Sequence, residues 1–535
     1  MYRFGPWRMV AVLAVASGCL RTTSHQCETS DQCGPAGLCE PNGACSFPAD
    51  DCPSGRRYGE GTGPLAGQCV SGDVDAAVPP DDDAAAPDGT PDDAPPPGPF
   101  YGDQRDGNLT TGNGDARVNT YATLVQDAPA GATQVMVVPG PQPNLGTWPR
   151  DFAAGDVVMV FQAAGAADPP ASGGQDPLVL DGSVGRYHVT RLTAVNLVSM
   201  TLADPLPAAF AALETQIIKL PQFARVTVNP GGRLRPAHFA DTATGGVVGF
   251  YADELILDGA TVDADSRGFR GGALVDQPDR INCNNLDGTS VNGGGAPKGE
   301  SVVRARYGTN NQSSGRGNIF SGGGGGNCHN AGGGGGGGAS PGGRGGDDRD
   351  DRAVGGLPGV GVHIDPRTHL FLGGGAGAGE VDTEAGTAGG DGGGVVWIQV
   401  RTITCSNGAE IRANGDSLEA GGGIDGSGGG GGGGVIWIRT DSITGCRLEA
   451  HGGTGGSSQN IYGPGGGGGG GRIILAAGAA TGVSFDVRGG SPGSGNPGAT
   501  AGTPGAACGN GMREANETCD DGNTVPDDGC TTCSE

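Results

Sequence analysis

Apolar and polar residues alternate in four related stretches of the chain. They read GGVVGFYADELILDGATVDADSRG from Gly245, GGVVWIQVRTITCSNGAEIRANGD from Gly393, GGVIWIRTDSITGCRLEAHGG from Gly433 and GGRIILAAGAATGVSFDVRGG from Gly470. Aligned on their glycine pairs, Val248, Val396, Ile436 and Ile473 coincide. Ile398 and Ile438 fall on Phe250, and Ile411, Leu448 and Phe485 fall on Val262. A period of two predicts two short strands per unit, then a glycine-dominated loop before the next unit. The last three units begin roughly 40 residues apart, a spacing typical of stacked repeats. A strand pair with one apolar face cannot bury it alone, whereas stacked units bury it between parallel sheets. The expectation is therefore an all-β chain whose residues 236–505 form a glycine-rich β-solenoid, of the right-handed parallel β-helix type.

Two pairs of equivalent residues extend this expectation. Cys405 and Cys446 occupy nearly the same place in consecutive units. Stacked strands lie ~4.8 Å apart, a spacing a disulfide accepts, so the register predicts a bond between adjacent coils. Trp397 and Trp437 also coincide and point opposite to Ile398 and Ile438. They form an aromatic ladder, either packed beneath the glycine loops or exposed as a sugar-binding strip.

Upstream, residues 100–235 carry short β-branched runs at 132–138, 155–162, 187–192 and 195–202, bounded by Gly, Pro and Asp. These predict a small β-rich domain, with residues 216–228 leading into the solenoid and packing on it. An insertion at about 270–390, rich in Gly, Asn and Asp, separates the first two aligned units, and Cys283 with Cys328 is expected to tie its base. Its glycine runs, 322–326 and 332–338, have no apolar periodicity. Two readings are open: no fixed structure, or polyglycine-type extended helices packed on the solenoid.

Composition narrows the function classes. With 113 glycines in 535 residues and 5% aromatics, a conventional large core is unexpected. The net charge of −26 argues against nucleic acid and anionic membrane surfaces as partners. Residues 1–19 combine Arg3 and Arg8, the apolar run 9–16, and Ser17-Gly18-Cys19. The run is too short to cross a bilayer and reads as an export signal. Ala16-Ser17-Gly18-Cys19 resembles the lipobox of bacterial lipoproteins, which implies lipidation of Cys19 and a membrane partner through that lipid. The rival is cleavage after Ala16 and free secretion. Parity favours the lipid: of 15 cysteines, removing Cys19 leaves even local groups.

The remaining cysteines are disulfide candidates in an exported chain. Cys27, Cys33, Cys39, Cys45, Cys52 and Cys69 define a disulfide module over 20–70, whose even gaps lack zinc knuckles. An Asp/Pro/Ala linker, 71–99, follows; its composition predicts a disordered, extended spacer. At the other end, residues 506–535 carry Cys508-Gly509-Asn510-Gly511, Glu517, Cys519-Asp520-Asp521-Gly522-Asn523 and Asp528-Gly529-Cys530, closed by Cys533. This segment resembles the myxobacterial cysteine-rich repeat. With the lipobox and glycine-rich layout, the resemblance implies a surface lipoprotein at the outer membrane of a Gram-negative bacterium.

Chemistry is sparse. β-Helices host polysaccharide lyases and hydrolases that use carboxylate and arginine clusters. Asp263, Asp265, Arg267 and Arg412, near His451 and beside Trp397 and Trp437, are the candidates for a solvent-facing ligand ridge. No nucleophile elbow, metalloprotease helix or nucleotide-binding fingerprint is present. No metal site or cofactor is expected; calcium at the acidic turns of residues 520–528 is the weak exception, since they lack an EF-hand spacing. The expected function is a non-enzymatic, surface-anchored structural or adhesive scaffold, with extracellular polysaccharide or surface proteins as partners. The alternative is an exported carbohydrate-active β-helix enzyme or polysaccharide-binding protein.

Overall fold

The structure is a computed structural model. It describes Cys33, 37–40, 44–49, Cys52, 56–59 and 68–70, and then residues 101–508. Within 101–508 it leaves out 142–143, 145–150, 168–171, 174, 240–242, 277–282, 289–293, 305–306, 308–312, 384, 419–422, 460 and 497. The expectations for Cys19, Cys27, the 71–99 linker, Cys519, Cys530, Cys533 and the acidic turns at 520–528 lie outside the described residues. Contacts divide the chain into two compact units, Met1–Ala94 and Pro95–Glu535.

In the first unit β1 (Leu38–Cys39), β2 (Cys45–Pro48) and β3 (Arg56–Tyr58) form a small antiparallel sheet. Disulfides join Cys33 to Cys45 and Cys52 to Cys69, and Cys39 is also disulfide-bonded. With so little apolar surface to bury, these crosslinks supply much of the module's cohesion.

The second unit opens with β4 (Asn108–Thr111) and β5 (Gly114–Ala116). It continues into β6 (Tyr121–Leu124), β7 (Gln134–Pro139), β8 (Val157–Gln162), β9 (Leu178–Leu180), β10 (Tyr187–Val195), β11 (Ser199–Leu202) and β12 (Thr215–Leu220). Six of these close an antiparallel barrel in the order β10-β11-β7-β6-β12-β8. β8, the run VVMVFQ, is buried on both faces. Val158 and Val160 point into the barrel with Leu124, Val137, Met200 and Phe210, while Met159 and Phe161 pack outside it.

The β-helix follows as β13 (Gln222–Val228), β14 (Gly232–Leu234), β15 (Val247–Asp258), β16 (Thr261–Asp263), β17 (Val362–Ile364), β18 (Val395–Ser406) and β19 (Glu410–Arg412). It ends with β20 (Val435–Thr444), β21 (Arg447–Glu449), β22 (Arg472–Thr481), β23 (Ser484–Asp486) and β24 (Ala506–Cys508). A seven-stranded parallel sheet runs β24-β22-β20-β18-β15-β13-β4, and a six-stranded parallel sheet runs β23-β21-β19-β16-β14-β5. β17 pairs separately with β9. Val248, Val396, Ile436 and Ile473 are register partners, as are Phe250, Ile398 and Ile438, and Val262, Ile411, Leu448 and Phe485.

Two boundaries differ from expectation. Each of the four aligned units has one strand of 10–12 residues and one of three, not two short strands. The first half of the long strand is covered on both faces: Val248, Val396 and Ile398 face the helix interior, while Val247, Trp397 and Val435 join a second cluster made with the barrel's outer wall and residues 302–372. The turn between the strands then needs a left-handed residue, supplied by Gly259, Gly408, Gly445 and Gly482 at φ of 53–74°. The second difference is that 100–235 is not one domain. β4 and β5 pair with β13 and β14 as the first coil of the helix, and the barrel is threaded between them.

The glycine runs 322–326 and 332–338 are ordered, and with neighbouring described segments they form a lattice of extended helices with a hydrogen-bond period of three. Gly332, Gly335 and Gly338 donate to Gly346, Gly343 and Ser340. Gly333 and Gly336 donate to Ser427 and Gly430, and Gly334 and Gly337 donate to Gly324 and Ser321. The same segment accepts from Gly356, Gly359 and Val362, from Gly466 and Gly469, and from Gly374 and Gly377. Backbones thus surround backbone on every side, the three-residue-per-turn geometry of polyglycine. These glycines do not have positive φ. They are required by proximity: a Cβ at Gly335 would overlap the Gly467 carbonyl oxygen, and one at Gly336 that of Gly374.

Candidate functional site

The short sheet places a polar–apolar–charged triplet on successive coils. Arg233-Leu234-Arg235, Thr261-Val262-Asp263, Glu410-Ile411-Arg412 and Arg447-Leu448-Glu449 stack in register. The apolar residue points inward, and its neighbours meet opposite charges one coil away. Asp263 is buried, with 1% of its side chain exposed. Its Oδ2 lies 3.1 Å from Arg412 Nη2 and 3.4 Å from Arg235 Nε. Arg412 also reaches Asp265 Oδ2 at 3.1 Å and Glu410 Oε2 at 3.2 Å. The Asn414 amide donates to Asp265 Oδ1 at 2.7 Å. His451 is tied nearby, its amide donating to Asn414 Oδ1 at 2.9 Å.

Burial, reinforced by the Asp263 charge, pushes the Asp265 carboxyl up to about 6 against the pull of Arg412. The arrangement can therefore hold or release one proton near neutral pH, on a carboxyl whose two oxygens are already engaged.

The structure thus brings Asp263, Asp265 and Arg412 together, with Asp263 buried and Asp265 and Arg412 keeping 21% and 26% of their side chains exposed. Arg267 is also buried and makes no ion pair with them. Trp397 is 1% exposed and stacks on Trp437 with ring centroids 5.1 Å apart and an interplanar angle of 8°. Tyr251 meets Trp397 edge-on at 5.5 Å. Trp397 belongs to the cluster that holds Met159, Phe161 and Leu220 of the barrel wall, with partly buried Trp437 packed against it, so Trp397 is packing and not a sugar platform.

Cys405–Cys446 and Cys283–Cys328 are bonded, with Cα separations of 4.9 and 5.0 Å. Cys508 ends β24. Among the described residues no group of three or more His, Cys, Asp or Glu is arranged to hold a metal ion.

Sequence reasoning missed Asp115, Arg233 and Arg235 because residues 100–235 read as a separate domain. Arg233 pairs with Asp115 at 2.7 Å. The triplet Arg-Leu-Arg at 233–235 was the available signal, since it repeats the pattern of the later coils.

These features define an all-β protein built on a parallel β-helix, with a barrel inserted after its first strands. No protein-family model and no curated protein matches the chain. Solved structures similar to it include the gp54 tailspike of Acinetobacter baumannii bacteriophage AP22, in complex with A. baumannii capsular saccharide. That similarity has 10% identity, covers 71% of this chain and 60% of that one, and has a TM-score of 0.15. The tailspike proteins gp49 of Pseudomonas phage LKA1 and gp61 of Pseudomonas phage phi297 are similar at 12% and 13% identity. They cover 72% and 71% of this chain and 67% and 62% of theirs, with TM-scores of 0.14 and 0.13. The chain thus spans about 60% of the length of the first of these.

Proposed function

We propose that this protein is a non-enzymatic, surface-anchored scaffold of the cell envelope, structural or adhesive, held to a membrane through a lipid on Cys19. One observation carries the reading: Asp263 and Trp397, two of the residues that would furnish a saccharide cleft, are turned away from solvent. Asp263 is buried against Arg235 and Arg412, and Trp397 is buried against the barrel. The Cys283–Cys328 and Cys405–Cys446 disulfides suit an exported protein. The natural partner in this reading is extracellular polysaccharide or another surface protein.

The test is glycan-array binding with polysaccharide turnover by the full chain, wild type and Asp265→Asn. No turnover by either is expected. Turnover that Asp265→Asn abolishes overturns the scaffold and establishes a carbohydrate-active enzyme. That second reading is favoured by Asp265, held at about 6, where a carboxyl serves as a proton donor. The anchor is tested separately: Cys19→Ala should move the protein from the membrane fraction to the soluble fraction. Unchanged membrane retention would overturn it.

A further inference from the structure

Beside the charged ladder, Asp115, Arg117, Asn144, Arg235, His238 and Arg267 line a cavity of about 120 Å³. Three arginines converge there, and among the described residues the acids beside them, Asp115 and Asp263, are already paired. Asp115 pairs with Arg233 at 2.7 Å and with Arg235 at 3.7 Å, and Arg235 also reaches Asp263. Asn144 clips the rim: its Oδ1 accepts from the Arg117 amide at 2.7 Å, and its Nδ2 donates to the Asp115 carbonyl at 3.0 Å.

Arg267 stands apart. It is 9% exposed, yet its Nε and Nη1 form no hydrogen bond. Two buried guanidinium nitrogens without a partner are costly, and native structures pair the great majority of such groups with protein, ordered water or an ion. Burial, with Arg235 and Arg117 close by, pulls its pKa down to about 10, so it stays charged at neutral pH. His238 at the rim is held down to about 4, by burial first and then by Arg267, Arg235 and Arg117. The cavity is thus a focus of positive potential in a chain whose net charge is −26.

We infer that this cavity binds a single oxyanion group, a carboxylate, sulfate or phosphate, gripped by Arg267 with Arg117 and Arg235 beside it. The guanidinium fork matches such oxygens, two at a time. The cavity has room for such a group. The site is independent of the scaffold reading, because a free anion and the acid of a saccharide present the same oxygens.

The experiment titrates the full chain at low ionic strength with sodium sulfate, sodium phosphate and sodium glucuronate, with glucose as control. Calorimetry follows binding, and NMR follows the His238 ring. Saturable one-to-one binding of at least one anion is expected, with none for glucose and an upward shift of the His238 titration from about 4. Binding should weaken at least tenfold in Arg267→Gln and be unchanged in Arg225→Gln, an exposed arginine on the long sheet. Arg267→Gln should melt no lower than wild type, whereas a purely structural arginine would lower the melt. If that variant fails to fold, the wild-type His238 shift still decides. Tightest binding of glucuronate identifies a sugar acid, and binding of sulfate or phosphate without glucuronate identifies a free anion. No saturable binding, an unmoved His238, or equal binding in Arg267→Gln overturns the proposal.

Discussion

The barrel and the glycine lattice are two solutions to the same packing problem. Inside the barrel Leu124, Val137, Val160, Met200 and Phe210 bury apolar side chains, and backbone pairing stays in the wall. That is the usual source of stability, apolar area removed from water. In the lattice the interior between residues 332–338 and their neighbours is backbone. Each amide there finds a carbonyl in an adjacent segment, and the absence of Cβ atoms lets the chains touch. Glycine loses more conformational freedom on folding than any other residue, so this core depends on complete hydrogen bonding and close approach. A core therefore needs satisfied polar groups and dense contact, and apolar side chains are only one way to obtain density.

The sharpest way to break this comparison adds atoms to one region and removes them from the other. Gly335→Val places a branched side chain on the Gly467 carbonyl and should cost about 3 kcal/mol or more. Leu124→Ala empties part of the barrel and should cost about 2–5 kcal/mol. Urea denaturation of both variants checks this. An unchanged midpoint for Gly335→Val would show that the lattice is not a close-packed core.

Next in size is the bond between coils. Replacing Cys405 and Cys446 by serine opens a loop with a sequence separation of 41 residues. The loss should be about 2–4 kcal/mol, read as a lower thermal midpoint. It should leave the barrel's own spectroscopic signals intact until the common transition.

A smaller effect distinguishes the charged ladder from both cores. Asp265 titrates at about 6 when folded against 3.8 when unfolded, so between those values the folded state holds more protons. Stability should therefore fall as pH rises through that window, by on the order of 2–3 kcal/mol, and Asp265→Asn should flatten that slope. The His238 contribution has the opposite sign, because its folded value of about 4 lies below 6.5. Its stability is present above 6.5 and lost as pH falls, so His238→Asn should steepen the Asp265 slope. Equal pH profiles for all three proteins would remove the ladder from the account.

The gentlest probe perturbs nothing. The two lysines, Lys219 and Lys298, are both buried and ion-paired, Lys219 to Asp156 at 2.8 Å in the barrel and Lys298 to Asp287 beside the lattice. Amine-directed reagents should modify neither in the native protein. During unfolding, mass spectrometry should find each labelled as its own region opens. Native-state labelling of Lys298 alone would mean that the lattice edge opens independently of the barrel.

Much of the β-helix was legible. Alternation placed Val248, Val396, Ile436 and Ile473 in one row, and the coil-to-coil spacing pointed to Cys405 with Cys446; strand pairing and the disulfide show both. The candidate site was legible only in part. Asp263, Asp265 and Arg412 share a neighbourhood because their triplets share a register, but their partners Arg233 and Arg235 come from before the repeats. Trp397 shows the limit clearly: alternation told which way it points, while only the barrel's outer wall explains why that direction is dry.

Local pattern by itself determined the strands, their register and the inward row, because period-two alternation and stacking act between residues that repeat. The tertiary structure alone decided three things. It closed the barrel between the first and second coils, turned aperiodic glycine runs into a hydrogen-bonded lattice, and buried Asp263, Arg267 and Trp397. Each depends on which distant backbone arrives at a given face. A glycine run carries no side chain to announce that neighbour, so its fold becomes visible only once the neighbour is in place.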